Sequence, residues 1–230
     1  SPSRQVLGHC SGLFESECRG RRVLMNPKFK WLLYLICGFA DFSGFIVIFA
    51  VSRGLAEAKA ESWYLGVVGA GLSFSSGMGS ILGGWLSHRF DGRVVFLTGA
   101  VLIIASISAC AMGDATQIWF MPGYWLLGIG LGFLYPPLMG WLNQGVDAHA
   151  NRHGVSRTLI LFCVAWNLGM MSGQLIAGSL FARGTLWPYA AALIVAILNL
   201  FLAIAAAGAA QGRQQVAHPA RRHTQRQQRV

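Results

Sequence analysis

Residues 63–95 read WYLGVVGAGLSFSSGMGSILGGWLSHRFDGRVV. The stretch has two parts of opposite character. From Trp63 to Ser87 there is no charged residue, a length that suits a membrane-spanning helix. Small residues recur within it at steps of four, at Gly69, Ser73 and Gly77, with Ser76, Ser80 and Gly84 beside them. Such spacing lets a second helix approach closely in lipid, where apolar burial does not drive association. The charged turn His88-Arg89-Phe90-Asp91-Gly92-Arg93 follows, and apolar sequence then resumes. A basic turn between two spans marks the side of the membrane on which it lies.

Composition extends this reading to the whole chain. Only 11% of residues are charged and 54% are hydrophobic, whereas a soluble domain carries about a quarter charged residues. The net charge of +10 resides outside the apolar runs. It therefore reads as an orientation signal and a lipid-headgroup contact, not as a nucleic-acid surface. Cys37, Cys110 and Cys163 lie inside apolar runs and read as packing residues. Cys10 and Cys18, near His9, match no ligand spacing, and His149 and His153 have no third ligand nearby. No metal or other cofactor is expected.

Six runs are long enough to span a membrane: 31–51, 63–87, 94–112, 119–142, 158–181 and 186–210. Residues 1–30 form a basic tail without periodicity, expected to be disordered. Within it, residues 1–24 read as an extension upstream of Met25. Residues 211–230 read as a basic tail or a linker cut short. Ala50-Val51-Ser52 faintly resembles a signal-peptidase site. The run before it is too long for a signal peptide and carries Asp41, so a retained helix is expected. If the spans alternate, fifteen of the eighteen Lys and Arg fall on one side; Arg53, Lys59 and Arg183 fall on the other. Both termini are then expected in the cytoplasm of a multi-pass protein of the plasma (bacterial inner) membrane. Trp31, Trp63, Trp119 and Trp187 sit near span ends, as interface anchors do.

The loop Gly84-Trp85-Leu86-Ser87-His88-Arg89-Phe90-Asp91-Gly92-Arg93 resembles the signature loop of the major facilitator superfamily, Gly-x-Leu-x-Asp-Arg-x-Gly-Arg. That loop lies between the second and third helices on the cytoplasmic side. Gly84, Leu86, Arg89, Gly92 and Arg93 match; His88 replaces the acid, and one extra residue precedes Gly92-Arg93. Asp91 is the local acid that can stand in. The segment 127–132, LGIGLG, is similar to the family's Arg-x-x-x-Gly-x-Gly pattern, with Tyr124 at the Arg position. Gly169, Gly173, Gln174, Ala177 and Gly178 resemble the antiporter pattern, with Gln174 for Pro. The resemblance implies an all-α six-helix half bundle built as a 3+3 inverted repeat. It implies solute transport by alternating access, with a missing C-terminal half or a second copy as partner.

Asp41 is the only acidic or basic side chain inside the six runs. An intramembrane carboxyl costs about 2.5–3.5 kcal/mol on insertion scales and faces protein or water. It is the candidate for proton or cation coupling or for substrate contact; a structural hydrogen bond is its bland alternative. Asn167 and Gln174 lie two turns apart on one helix face. They either bind a small-molecule substrate or bridge helices, as does Asn199. In the resembled fold the first, fourth and fifth helices line the cavity, which groups Asp41, Tyr124, Asn167 and Gln174; Tyr135 and Asn143 are secondary candidates. Gly128 and Gly132 read as helix packing, and Pro136-Pro137 as a bend or loosened turn. An intramembrane protease would need Gly-x-Ser-Gly and a mid-depth His, but Phe74 follows Gly71-Leu72-Ser73. No enzyme is expected. A non-transporting six-helix sensor or assembly subunit remains the alternative.

Overall fold

The computed structural model describes residues 27–143 and 152–227, with side chains described over 29–143 and 155–209. The described residues form six helices and no strand. They are α1 (Pro27–Glu57), α2 (Ser62–Arg89), α3 (Gly92–Met112), α4 (Phe120–Leu142), α5 (Arg152–Phe181) and α6 (Leu186–Gln227). All six are long and apolar enough to cross a membrane. The expected runs are all present, and the helices outlast several of them. Hydropathy marks what lies in hydrocarbon, whereas a helix ends where its backbone bonds stop. Thus α1 continues past Val51 to Glu57, where Arg53 Nε donates to Glu57 at 2.8 Å, one turn on. Likewise α5 begins at Arg152 rather than Thr158. The backbone of α6 stays helical beyond Ala210, through a segment read from sequence as a tail or linker without apolar periodicity. The N-terminal tail with Cys10 and Cys18, and His149, lie outside the described residues, as does the side chain of His153.

Short turns join the first spans. The α1–α2 turn places Lys59 in the left-handed region (φ 54°). Ala60 N–H donates to Leu55 carbonyl O and Lys59 N–H to Ala56 carbonyl O, so the last carbonyls of α1 are satisfied by a Schellman turn. In the α3–α4 turn the Asp114 carboxyl accepts from Thr116 N–H (3.0 Å) and Thr116 Oγ (2.8 Å). These bonds hold it below the usual carboxylate range, the backbone bond contributing most.

The centre of the bundle is the pair α1 and α4. α1 packs against α5 and α6, α4 packs against α2 and α3, and α3 meets α6. Glycines set the closest seams. Gly79 and Gly83 of α2 abut the backbone of Ile129 and Phe133 on α4, while Gly128 and Gly132 of α4 abut the backbone of α2 from Leu72 to Ser80. Gly169 and Gly173 of α5 do the same against the backbone of Gly38 and Phe42 on α1. Gly128 and Gly132 thus lie within the α2–α4 seam. Gly69, Ser73 and Gly77 lie away from these seams. A Cβ on Gly69 or Gly77 would meet nothing within 4 Å, and Ser73 is exposed with its hydroxyl turned to the carbonyl of Gly69. The buried face of α2 is instead Tyr64, Val68, Ser75, Gly79 and Gly83. α2 carries small residues on both faces, and the position of α4 selects one. Helix α4 runs unbroken through Pro136 and Pro137.

Candidate functional site

Asp41 sits at mid-length of α1 and is 1% exposed. One turn earlier, the Cys37 thiol points to Asp41 Oδ2 at 3.6 Å. From α4, the Tyr135 hydroxyl donates to Asp41 Oδ1 at 2.5 Å. From α5, the ring of Phe162 stands edge-on to Tyr135 with centroids 6.0 Å apart, and Trp166 lies beside the carboxyl. Three helices therefore converge on one acid. Among the described residues no Lys, Arg or His pairs with it. Donors rather than a counter-ion hold its oxygens, so the group can exist as a neutral acid or as a hydrogen-bonded anion. That is the chemistry a proton-carrying site needs.

The other candidates do not join this cluster. Tyr124 is buried elsewhere on α4, stacked on Phe120 (6.0 Å, 18°), with Cys110 of α3 and Tyr189 of α6 nearby. It lies eleven residues from Tyr135, about 16 Å along the helix. Asn167 is exposed on α5 and donates to its own helix at Cys163 carbonyl O (2.7 Å). Gln174 is exposed two turns further. Asn143 closes the exposed end of α4. Asn199 is buried on α6, and its Oδ1 has no protein hydrogen-bond partner among the described residues. Sequence reasoning ranked Tyr135 behind Tyr124 and passed over Cys37 and Trp166. The i, i+4 step from Cys37 to Asp41 was a local signal for the first; no local signal couples Asp41 to Tyr135, 94 residues away.

The signature loop has a definite geometry. α2 ends at Arg89, whose guanidinium lies 4.9 Å from the Trp85 ring centroid in a cation–π contact. Asp91 is the N-cap of α3: it accepts from Arg93 N–H at 3.1 Å and lies 3.5 Å from Arg93 Nε. The acid that stands closest to the missing family carboxylate is thus engaged within its own loop. Gly92 rests near Pro137 of α4, which seats the loop on the central helix. His88 is exposed.

No protein-family model matches the chain. Over 123 residues it is 25% identical to the niacin transporter NiaP of Acinetobacter baylyi. That stretch is 53% of this chain and 26% of the relative, so the match spans about a quarter of the relative's length. With six apolar helices and the loop between the second and third, this distant homology makes the chain a multi-pass membrane protein related to transporters of the major facilitator superfamily.

Proposed function

We propose that the chain forms one six-helix half of a secondary transporter that moves a small organic solute by alternating access. The distant homology to a transporter carries this reading. The packing supports the repeat behind it. Exchanging α1–α3 for α4–α6 turns the α1–α5 contact into α4–α2 and the α1–α6 contact into α4–α3, and returns α3–α6 to itself. An inverted 3+3 repeat has this property. The open faces of α2 and α5 await the second half, or a second copy. Asp41, held by Tyr135, is the coupling group; Asn167 and Gln174, open on α5, are solute contacts. Tyr124 is withdrawn from the site by its packing. Both termini are cytoplasmic in a plasma or bacterial inner membrane, a reading that the distribution of Lys and Arg supports.

The relative transports niacin, so niacin is the first solute to test. Full-length protein in proteoliposomes should accumulate labelled niacin or another small carboxylic acid under an inward proton gradient. Asp41→Asn should abolish gradient-driven accumulation while sparing exchange. Failure of the wild type to move any of a panel of small carboxylates would refute the transport reading. A proton-gradient response unchanged in Asp41→Asn would remove Asp41 from coupling.

A further inference from the structure

At the end of the bundle opposite the signature loop, α1 and the α5–α6 turn line an open concavity of about 530 Å³. Its apolar wall is formed by Phe49 and Phe181, and its polar rim by Arg53, Glu57, Arg183 and Thr185. Arg53 gives its Nε to Glu57 at 2.8 Å, which leaves its terminal nitrogens as free donors. Among the described residues no carboxylate pairs with Arg183. The turn that carries Arg183 is shaped by Gly184, whose φ of +148° lies where side-chain-bearing residues are rarely found. Arg53 and Arg183 are two of the three basic residues on this side of the membrane, and both lie on one concavity.

We propose that this concavity binds one small organic monoanion, through the guanidinium groups of Arg53 and Arg183, at the outer mouth of the transporter. Two guanidiniums against one carboxylate leave a single positive charge, which matches a monoanion rather than a dianion or a neutral solute. A guanidinium fork binds carboxylate or phosphodiester oxygens bidentately. The two arginines together raise the positive potential at the mouth of this concavity. The apolar wall of Phe49 and Phe181 suits an aromatic or aliphatic acid. The site deepens the transport reading, because it names a carboxylate as the solute class and gives it a first point of capture. A lipid phosphodiester offers the same charge and the same oxygens at this depth.

The test is calorimetric titration of the full-length protein in phosphatidylcholine nanodiscs, with nicotinate and its neutral isostere nicotinamide as probes. Nicotinate should bind and nicotinamide should not. Arg183→Gln and Arg53→Gln should each weaken nicotinate about tenfold, and Glu57→Gln should tighten it. Both arginines are exposed, so melting temperatures should not move, and this is checked first. Repeating the titration in phosphatidylglycerol nanodiscs separates the sources. An unchanged affinity assigns the site to the free solute; competition that Arg183→Gln relieves assigns it to the lipid headgroup. Equal binding of the two probes, no binding of either, or an Arg183→Gln protein that binds like wild type overturns the site. Transport and capture fail separately: binding without uptake refutes only the former, and uptake without this binding refutes only the latter.

Discussion

Helix α2 has two faces of small residues, and this chain uses one of them. Ser75, Gly79 and Gly83 are buried against α4, while Gly69, Ser73 and Gly77 face away from every described helix. Composition does not separate the two faces. What separates them is the partner: α4 presents Gly128 and Gly132 at the matching spacing, so backbone meets backbone on that side alone. A small-residue stripe marks a surface that permits close approach, and only the neighbour decides whether the approach is made. The sharpest way to break the comparison is Gly79→Leu. A Cβ there would lie 2.8 Å from the carbonyl oxygen of Ile129 and 2.9 Å from its Cα, and backbone in a packed helix cannot yield as a side-chain tip does. The seam should lose about 3 kcal/mol. Thermal melting followed by gel filtration in detergent reads this out, and a wild-type melting curve would show that the packed face is misassigned.

The enclosed and open regions should also differ for polar groups. Tyr135→Phe removes the donor to a buried carboxyl and should cost about 2 kcal/mol, since the acceptor left behind has no water to turn to. Asn167→Ala, on the open side of α5, removes a bond from an amide to its own helix and should change stability by less than about 0.5 kcal/mol. Equal effects in the two melts would mean that the Asp41 cluster is not enclosed.

The same contrast separates what is legible in the sequence from what is not. The six spans were legible because hydropathy over a span is a local property, and α1 to α6 coincide with the apolar runs apart from shifts at their ends. Asp41 was legible because one acid in an apolar run is conspicuous. Its partner was not: Tyr135 and Tyr124 lie on nearly one face of α4, about three turns apart, and only the depth at which α4 sits beside α1 brings the first to Asp41 and leaves the second near α3 and α6. Which face of α2 packs within this chain was not legible either, because helix phase depends on tertiary neighbours. The capping role of Asp91 was legible in principle, as Asp directly before a helix start is a standard N-terminal signal, but the family resemblance pointed to Asp91 as a stand-in for the missing acid instead.

Two turns give smaller tests on either side of α2. Asp91→Ala deletes the N-cap of α3 and should cost about 1 kcal/mol. Lys59→Gly should stabilise by about 1 kcal/mol, because Lys59 holds a left-handed conformation that glycine adopts without penalty. Opposite shifts of the melting temperature are expected, and shifts of the same sign would contradict the geometry of one turn.

The smallest expected change in stability is also the most informative about function. Gly77→Leu adds a side chain where a Cβ meets nothing within 4 Å, so the six-helix unit should melt within about 0.5 kcal/mol of wild type. If a second half or a second copy seats on this face, the same leucine occupies the place of its backbone, and transport by the full-length protein should fall at least tenfold. A stable Gly77→Leu protein that transports normally would show that the open face of α2 fronts lipid. The pairing of halves would then have to be sought on α5, whose exposed Leu168, Met171 and Leu175 form the other unpartnered surface. A Gly77→Leu protein as unstable as Gly79→Leu would erase the distinction between the two faces. It would place an α2 neighbour inside this chain where the helices now leave open space.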